Sequence, residues 1–344
     1  SNDGFIGWLR LSGNHPNPEQ YDDKNKGYEV SGQAAKEAIL AADPYIDYSS
    51  YDTDGDGYIE PTELSILVML SGDEASYGSN SSSVWAHAGG TNVSVDGKTI
   101  NAYAMVGERY EDHLGTIGVM AHELGHHMFS LPDLYDSDGS SAGLGYFCLM
   151  SGGTWGAASE EYGGSSPTHL CAWCKEYLGW GTVNTISSSQ TISLPKVDNN
   201  KSSIFRLNTS DSNQYFLLEN RQFTGYDLGF QGSTGSSGHG GLVIYHIDTS
   251  KTSSLVDVNV NENDKGVDVE EANEGRLGYS MLDTNTSWAH TNMFFSSGNN
   301  TSFTDTTTPN SKLKNGDSTL ISITDISDYS DTMTAYITRP PTAT

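Results

Sequence analysis

The chain has 344 residues, with 44 acidic side chains against 17 basic ones and a formal net charge of -27. A field of that sign repels phosphate backbones, which makes nucleic acid a poor candidate partner, and no run of about eighteen apolar residues exists to span a membrane. With 35% hydrophobic residues, 18% charged residues and 38 glycines, the composition fits a loop-rich extracellular protein of about two domains and excludes a coiled coil. No signal peptide stands at Ser1, and an exported chain would have lost one.

Along the chain, the first expected element is a helix near Ser31–Ala42. The stretch from Asp52 to Glu63 has the spacing of an EF-hand calcium loop. Asp52, Asp54, Asp56 and Glu63 would supply carboxylates to a hard cation, Tyr58 its carbonyl, and Gly57 the sharp turn. Immediately after it, Leu64–Leu70 is a short apolar run bounded by turn residues and is read as a buried strand. The loop is therefore expected as a lone structural Ca²⁺ site and not as half of a sensor pair. Residues 112–129 have helical spacing, with Leu114, Ile117, Met120, Ala121 and Leu124 as the apolar stripe. Residues 167–178 read as a further helix, with Pro167 at its start and Gly179 just past its end.

After Gly181 the character changes to alternating segments: Thr191–Val197, Ser203–Leu207, Gln214–Asn220, Gly241–Ile247, Thr319–Ile326 and Met333–Thr338. Turn residues fill the gaps. The pattern predicts an antiparallel β-sandwich beginning near residue 183. The acidic stretch from Asp257 to Glu274, with Asp264, Asp268, Glu270 and Glu271, reads equally as a second Ca²⁺ site or as an acidic surface loop. Three cysteines, Cys148, Cys171 and Cys174, allow one disulfide and one spare thiol without fixing the pairing. The CxxC of Cys171–Cys174 lacks a second pair to complete a zinc site, and the three are read as structural.

The chemistry concentrates in His122-Glu123-Leu124-Gly125-His126. Four residues turn a helix about 400°, so the two histidines lie about 40° apart and about 6 Å along the axis. Both imidazoles can reach one Zn²⁺, and Glu123 can take a proton from the metal's water without becoming a ligand. A catalytic zinc needs a third protein ligand. Pro132 should stop the helix, and Asp133 emerges just beyond the turn with an oxygen donor. His127 is a rival, but it points about 100° away from His126. Glu160 and Glu161 would serve a peptidase with a distal Glu ligand, but they lie in a Gly/Ser-rich loop.

The run from His122 through Leu131-Pro132-Asp133-Leu134-Tyr135-Asp136 resembles the immune inhibitor A family of metallopeptidases, the M6 family of the metzincins. Cys148-Leu149-Met150-Ser151-Gly152-Gly153-Thr154-Trp155 is similar to the family's Met-containing turn beneath the zinc, which gives Met150 a supporting role. Pro167 to Trp180, Tyr215 to Arg221 and Gly241 to Asp248 resemble later segments. One residue more than usual separates His126 from Asp133, with Phe129-Ser130 in place of a Gly. The resemblance implies an α+β chain: a metzincin-like zinc peptidase domain over 1–183 with an embedded calcium loop, then a β-sandwich domain over 184–344. It implies a secreted, monomeric endopeptidase that uses Zn²⁺ and Ca²⁺ and acts on protein or peptide substrates. The competing reading is a non-catalytic, Ca²⁺-dependent adhesion or carbohydrate-binding protein.

Overall fold

The computed structural model describes residues 4–12, 15, 24–77, 83–198, 203–235 and 237–339, with side chains in the first helix from Glu29 onward. The chain divides into two compact units, residues 1–130 and 131–344. The architecture is mixed α and β, with several sheets.

In the first unit, α1 (Lys24–Ala42) begins seven residues before the expected Ser31. Ala35, Ile39 and Ala42 are buried one above the other at helical spacing, and α1 packs against the sheet strand β3. The sheet has five strands: β1 (Tyr58–Ile59), β2 (Leu67–Asp73), β3 (His87–Val95), β4 (Lys98–Tyr110) and β5 (His113–Leu114). The long β4 pairs with all four others, parallel to β1 and β2 and antiparallel to β3 and β5. Its hairpin with β3 turns on Asp96 (φ 50°) and Gly97 (φ 73°), a two-residue turn whose left-handed pair matches the twist of the strands.

The strand expected at Leu64–Leu70 forms three residues later. Glu63 and Leu64 both donate their amides to the carbonyl of Glu60, so the end of the preceding loop consumes the first residues of the apolar run. Leu64 and Ile66 still pack against the buried cluster of Ile39, Tyr48, Ile59, Val93, Val95 and Ile100. The helix expected over 112–129 is α2 (Ile117–Phe129). His113 and Leu114 are taken by β5, which pairs with Arg109 and Tyr110 of β4. α2 packs on β3 and β4.

The expected apolar stripe of α2 is not the buried one. Leu114 is 69% exposed and Ile117 46% exposed, and Met120, Ala121 and Leu124 are only partly covered. The buried residues are Gly118, Val119, His122, Glu123, Gly125 and His127, with His126 half-buried. The residues of the motif themselves occupy the inward stripe.

In the second unit, α3 (Ala172–Tyr177) is shorter than the expected 167–178. Thr168 gives its amide to the carbonyl of Gly153 and its hydroxyl to that of Tyr146, while His169 gives its amide to Asp227. Those amides bond away from the helix, so it starts only after Cys171. Gly179 ends it at φ 66°, with Trp180 donating back to Lys175.

The later strands are β6 (Val183–Thr185), β7 (Gln190–Pro195), β8 (Ile204–Asn208), β9 (Gln214–Arg221), β10 (Gly241–Asp248), β11 (Val267–Val269), β12 (Ser322–Thr324) and β13 (Thr332–Thr338). One sheet runs β11-β10-β9-β8-β6 and another β12-β13-β7. All these pairings are antiparallel except β6 with β8. β13 alternates exposed and buried residues, whereas β9 and β10 are buried at every position, as central strands covered on both faces are. Ile192, Leu194, Met333, Ala335 and Ile337 from the smaller sheet share one apolar core with Leu207, Phe216, Leu218, Leu242 and Ile244 from the larger.

Candidate metal centre

α2 presents His122 and His126 one turn apart, and their Nε2 atoms lie 3.0 Å from each other. The rings meet edge to face, with centroids 4.7 Å apart and planes at 86°. Two imidazoles bound to one Zn²⁺ at about 2.0–2.1 Å in tetrahedral geometry would hold their nitrogens about 3.3–3.4 Å apart, so the lone pairs already converge. Two imidazole nitrogens so placed suit a borderline divalent ion such as Zn²⁺. Asp133 stands seven residues beyond His126 in the chain. Glu123 follows His122 on the same helix and is buried.

The helix stops at Ser130, which adopts the left-handed conformation at φ 53° and returns its amide to the carbonyl of His126 at 2.9 Å.

His127 is turned elsewhere. Its Nε2 accepts the backbone N–H of Ile66 at 3.2 Å, and burial holds its pKa below the usual value. Glu161 accepts the amide of Ala158 at 2.9 Å and the hydroxyl of Ser166 at 2.6 Å, and Glu160 is exposed. Among the described residues, His127 is not grouped with His122 and His126.

The Met-containing turn is held within the second unit. Met150 is fully buried, and its carbonyl accepts the amide of Leu134, the residue after Asp133, at 2.7 Å. Ser151 and Gly153 both donate to the carbonyl of Cys148. A Cβ on Gly153 would come within 2.4 Å of that carbonyl and 2.1 Å of the Thr168 hydroxyl, so the turn requires glycine there.

A buried ion network supports this region and carried no sequence signal. Arg221 donates to both carboxylate oxygens of Asp227, to Glu219 at 2.9 Å and to the carbonyl of Phe147 at 3.0 Å. Lys175 donates to Glu219 at 2.9 Å. Against its burial, Lys175 and Arg221 hold the Glu219 carboxyl down at about 2.

The calcium-type loop has the expected backbone. Gly55 and Gly57 sit at φ 81° and 91°. Asp52 accepts the amides of Gly55 and Gly57, Asp54 that of Asp56, and Asp56 that of Tyr58. One oxygen each from Asp52, Asp54 and Glu63 lies within 4.8 Å of the others, while Asp56 stays outside that group. Glu63 also accepts the hydroxyl and amide of Thr53, and the hydroxyl leads in drawing its pKa down to about 2. Lys98 Nζ reaches Asp52 at 2.5 Å, a cation that the loop's spacing does not foretell.

The second acidic stretch is an ion-pair network. Asp264 is held by Lys251 and Lys314, and the buried Lys265 bridges Asp268 and Asp283. Glu271 accepts the amides of Met281 and Leu282 and the hydroxyl of Ser280. Burial raises its pKa to about 7.

Comparison with curated proteins finds no match. The family model described as the immune inhibitor A peptidase M6 catalytic domain matches residues 3–182, just over half of the chain and including His122, Glu123, His126, Asp133 and Met150. The chain belongs to the immune inhibitor A, or M6, peptidase family and is a metallopeptidase.

Proposed function

We propose that this chain is a secreted zinc-dependent endopeptidase in which His122, His126 and Asp133 hold the ion and Glu123 is the general base. The observation that carries the reading is the convergence of the His122 and His126 Nε2 atoms, 3.0 Å apart; Asp133, seven residues on within the matched family segment, is assigned as the third ligand. Bound there, Zn²⁺ would polarise the scissile carbonyl and acidify a water molecule. Glu123, buried next to His122, would take the proton from the attacking water and deliver it to the departing amine. Met150 packs and positions and does no chemistry. Its carbonyl holds the amide of Leu134, which fixes the backbone immediately after Asp133.

The same proposal assigns residues 1–183 to a metzincin-like peptidase domain and 184–344 to a β-sandwich domain. The family match ending at residue 182 and the shared core of the two later sheets support that layout. Ca²⁺ is assigned to the Asp52–Glu63 loop on the geometry of Asp52, Asp54 and Glu63. Protein substrates complete the reading and are supported by family membership; export and a monomeric state are part of the proposal. The non-catalytic adhesion reading is weaker, because a retired enzyme has no use for Glu123.

Casein hydrolysis with and without a zinc chelator tests the proposal, with Glu123→Gln as control. Chelation should abolish hydrolysis, and Zn²⁺ should restore it. The Glu123→Gln protein should keep its metal and lose about 10²–10⁴-fold in turnover. Turnover above a tenth of wild type in that variant, or hydrolysis indifferent to chelation, rules the mechanism out.

A further inference from the structure

We propose that Cys148, Cys171 and Cys174 form a second metal site, an all-sulfur centre for a soft d¹⁰ cation, Zn²⁺ or Cu⁺. All three side chains have zero exposure, and all three are free thiols. The single disulfide that their number allows is therefore not formed. Cys174 Sγ lies 3.6 Å from Cys171 Sγ and 3.7 Å from Cys148 Sγ, and one sulfur from each residue falls within 4.8 Å of the others. The edge of a tetrahedron drawn around a metal with sulfur bonds of about 2.3 Å is about 3.8 Å, so the triad already has the spacing of a thiolate face. Cys148 Sγ also accepts the amide of Cys171 at 3.3 Å, an N–H···S contact that favours the thiolate.

The topology explains how an incomplete CxxC gains its partner. Leu149 donates its amide to the carbonyl of His169, which draws the 148–150 segment alongside the lead-in to α3. Among the described residues no fourth His, Cys, Asp or Glu joins the three sulfurs. An all-thiolate donor set selects soft ions over Ca²⁺ or Mg²⁺. Three coordination is natural for Cu⁺, whereas Zn²⁺ leaves less net negative charge in a buried site. A cation here would staple the turn bearing Met150 to the start of α3. The inference concerns the second unit alone and is independent of the role given to His122 and His126.

The test uses the full chain with His122→Ala and His126→Ala, produced with zinc and copper supplied and purified under reducing conditions. Elemental analysis should find one equivalent of zinc or copper per chain, which also identifies the ion. X-ray absorption should show a sulfur-only shell at about 2.3 Å, without the nitrogen or oxygen distances of about 2.0–2.1 Å. Adding Cys171→Ser and Cys174→Ser should remove that equivalent. Should the serine variant fail to fold, the parent still answers, because blocking its thiols with an organomercurial should release one equivalent of metal. A metal-free parent with three titratable thiols overturns the proposal, and so does a parent with one titratable thiol, whose other two form a disulfide.

Discussion

The imidazole of His127 accepts a hydrogen bond from the backbone N–H of Ile66 at 3.2 Å, joining α2 to the residue just ahead of β2. The three histidine-rich positions of one helix are thereby separated in role. His127→Ala should leave metal content and turnover close to wild type and cost about 1 kcal/mol in stability, because a part-buried N–H loses its acceptor. His126→Ala should do the reverse, losing metal with little change in fold. Metal analysis beside urea unfolding of the two variants checks this. Loss of metal from a folded His127→Ala protein would reassign the ligands.

Asp133→Ala should weaken metal binding and turnover together, because the oxygen donor of the group disappears. Glu161→Ala should leave metal content unchanged, since that carboxylate already caps Ala158 and holds Ser166. The measurement is metal affinity by competition with a chromophoric chelator. An Asp133→Ala protein of unchanged affinity would show that another side chain is the third ligand.

Calcium should act on stability before it acts on activity. Without a cation, Asp52, Asp54 and Glu63 face one another, and among the described residues Lys98, at 2.5 Å from Asp52, offsets their charge. The loop runs into β1 and then into Leu64 and Ile66, which pack on the first unit's core. Ca²⁺ should raise the melting temperature by mass action, in proportion to the logarithm of its excess over Kd, and Asp54→Ala should blunt the response. Melting curves across chelated to millimolar Ca²⁺ at fixed zinc test it. An invariant midpoint in the wild type would mean that the loop is an acidic turn closed by Lys98.

Acid should unfold the protein partly through Glu219. Its carboxyl titrates at about 2 in the folded state and near 4.5 in the unfolded chain, so the unfolded state binds the extra proton between those values. The stabilisation is therefore full above pH 4.5 and is lost as pH falls toward 2. Glu219→Gln should cost about 3–5 kcal/mol at pH 7, because it leaves Lys175 and the buried Arg221 short of a charge partner. The gap to wild type should close as pH approaches 2. Denaturant unfolding from pH 7 down to 2.5 reads both quantities, and a gap independent of pH would refute the assignment.

The approach of His122 to His126 was legible in the order of the amino acids. Spacing of four on a helix brings two imidazoles together whatever surrounds them. The Asp-x-Asp-x-Asp-Gly pattern set the calcium-type loop in the same way, since each carboxylate caps an amide two or more residues along. The Asp96-Gly97 pair between β3 and β4 is a hairpin signal of the same local kind.

Features that depend on partners distant in sequence were left to the packed fold. The stripe of α2 was assigned to its most apolar residues, yet Val119, His122, Glu123 and His127 are among the buried ones; His127 tolerates burial because its ring accepts the amide of Ile66. The helix at 167–178 lost its first turn to hydrogen bonds with Gly153, Tyr146 and Asp227, none of which is a local neighbour. Arg221 meets Asp227 only because the residues between β9 and β10 fold back over the sheet. The CxxC of Cys171–Cys174 stood incomplete for the same reason: its third sulfur, Cys148, lies twenty-three residues upstream of Cys171, and the bonds of Leu149 with His169 and of Thr168 with Gly153 and Tyr146 draw the two segments together. Short-range geometry is written in sequence spacing, whereas the pairing of separate segments is settled by which contacts bury the most surface while leaving the fewest polar groups unpaired.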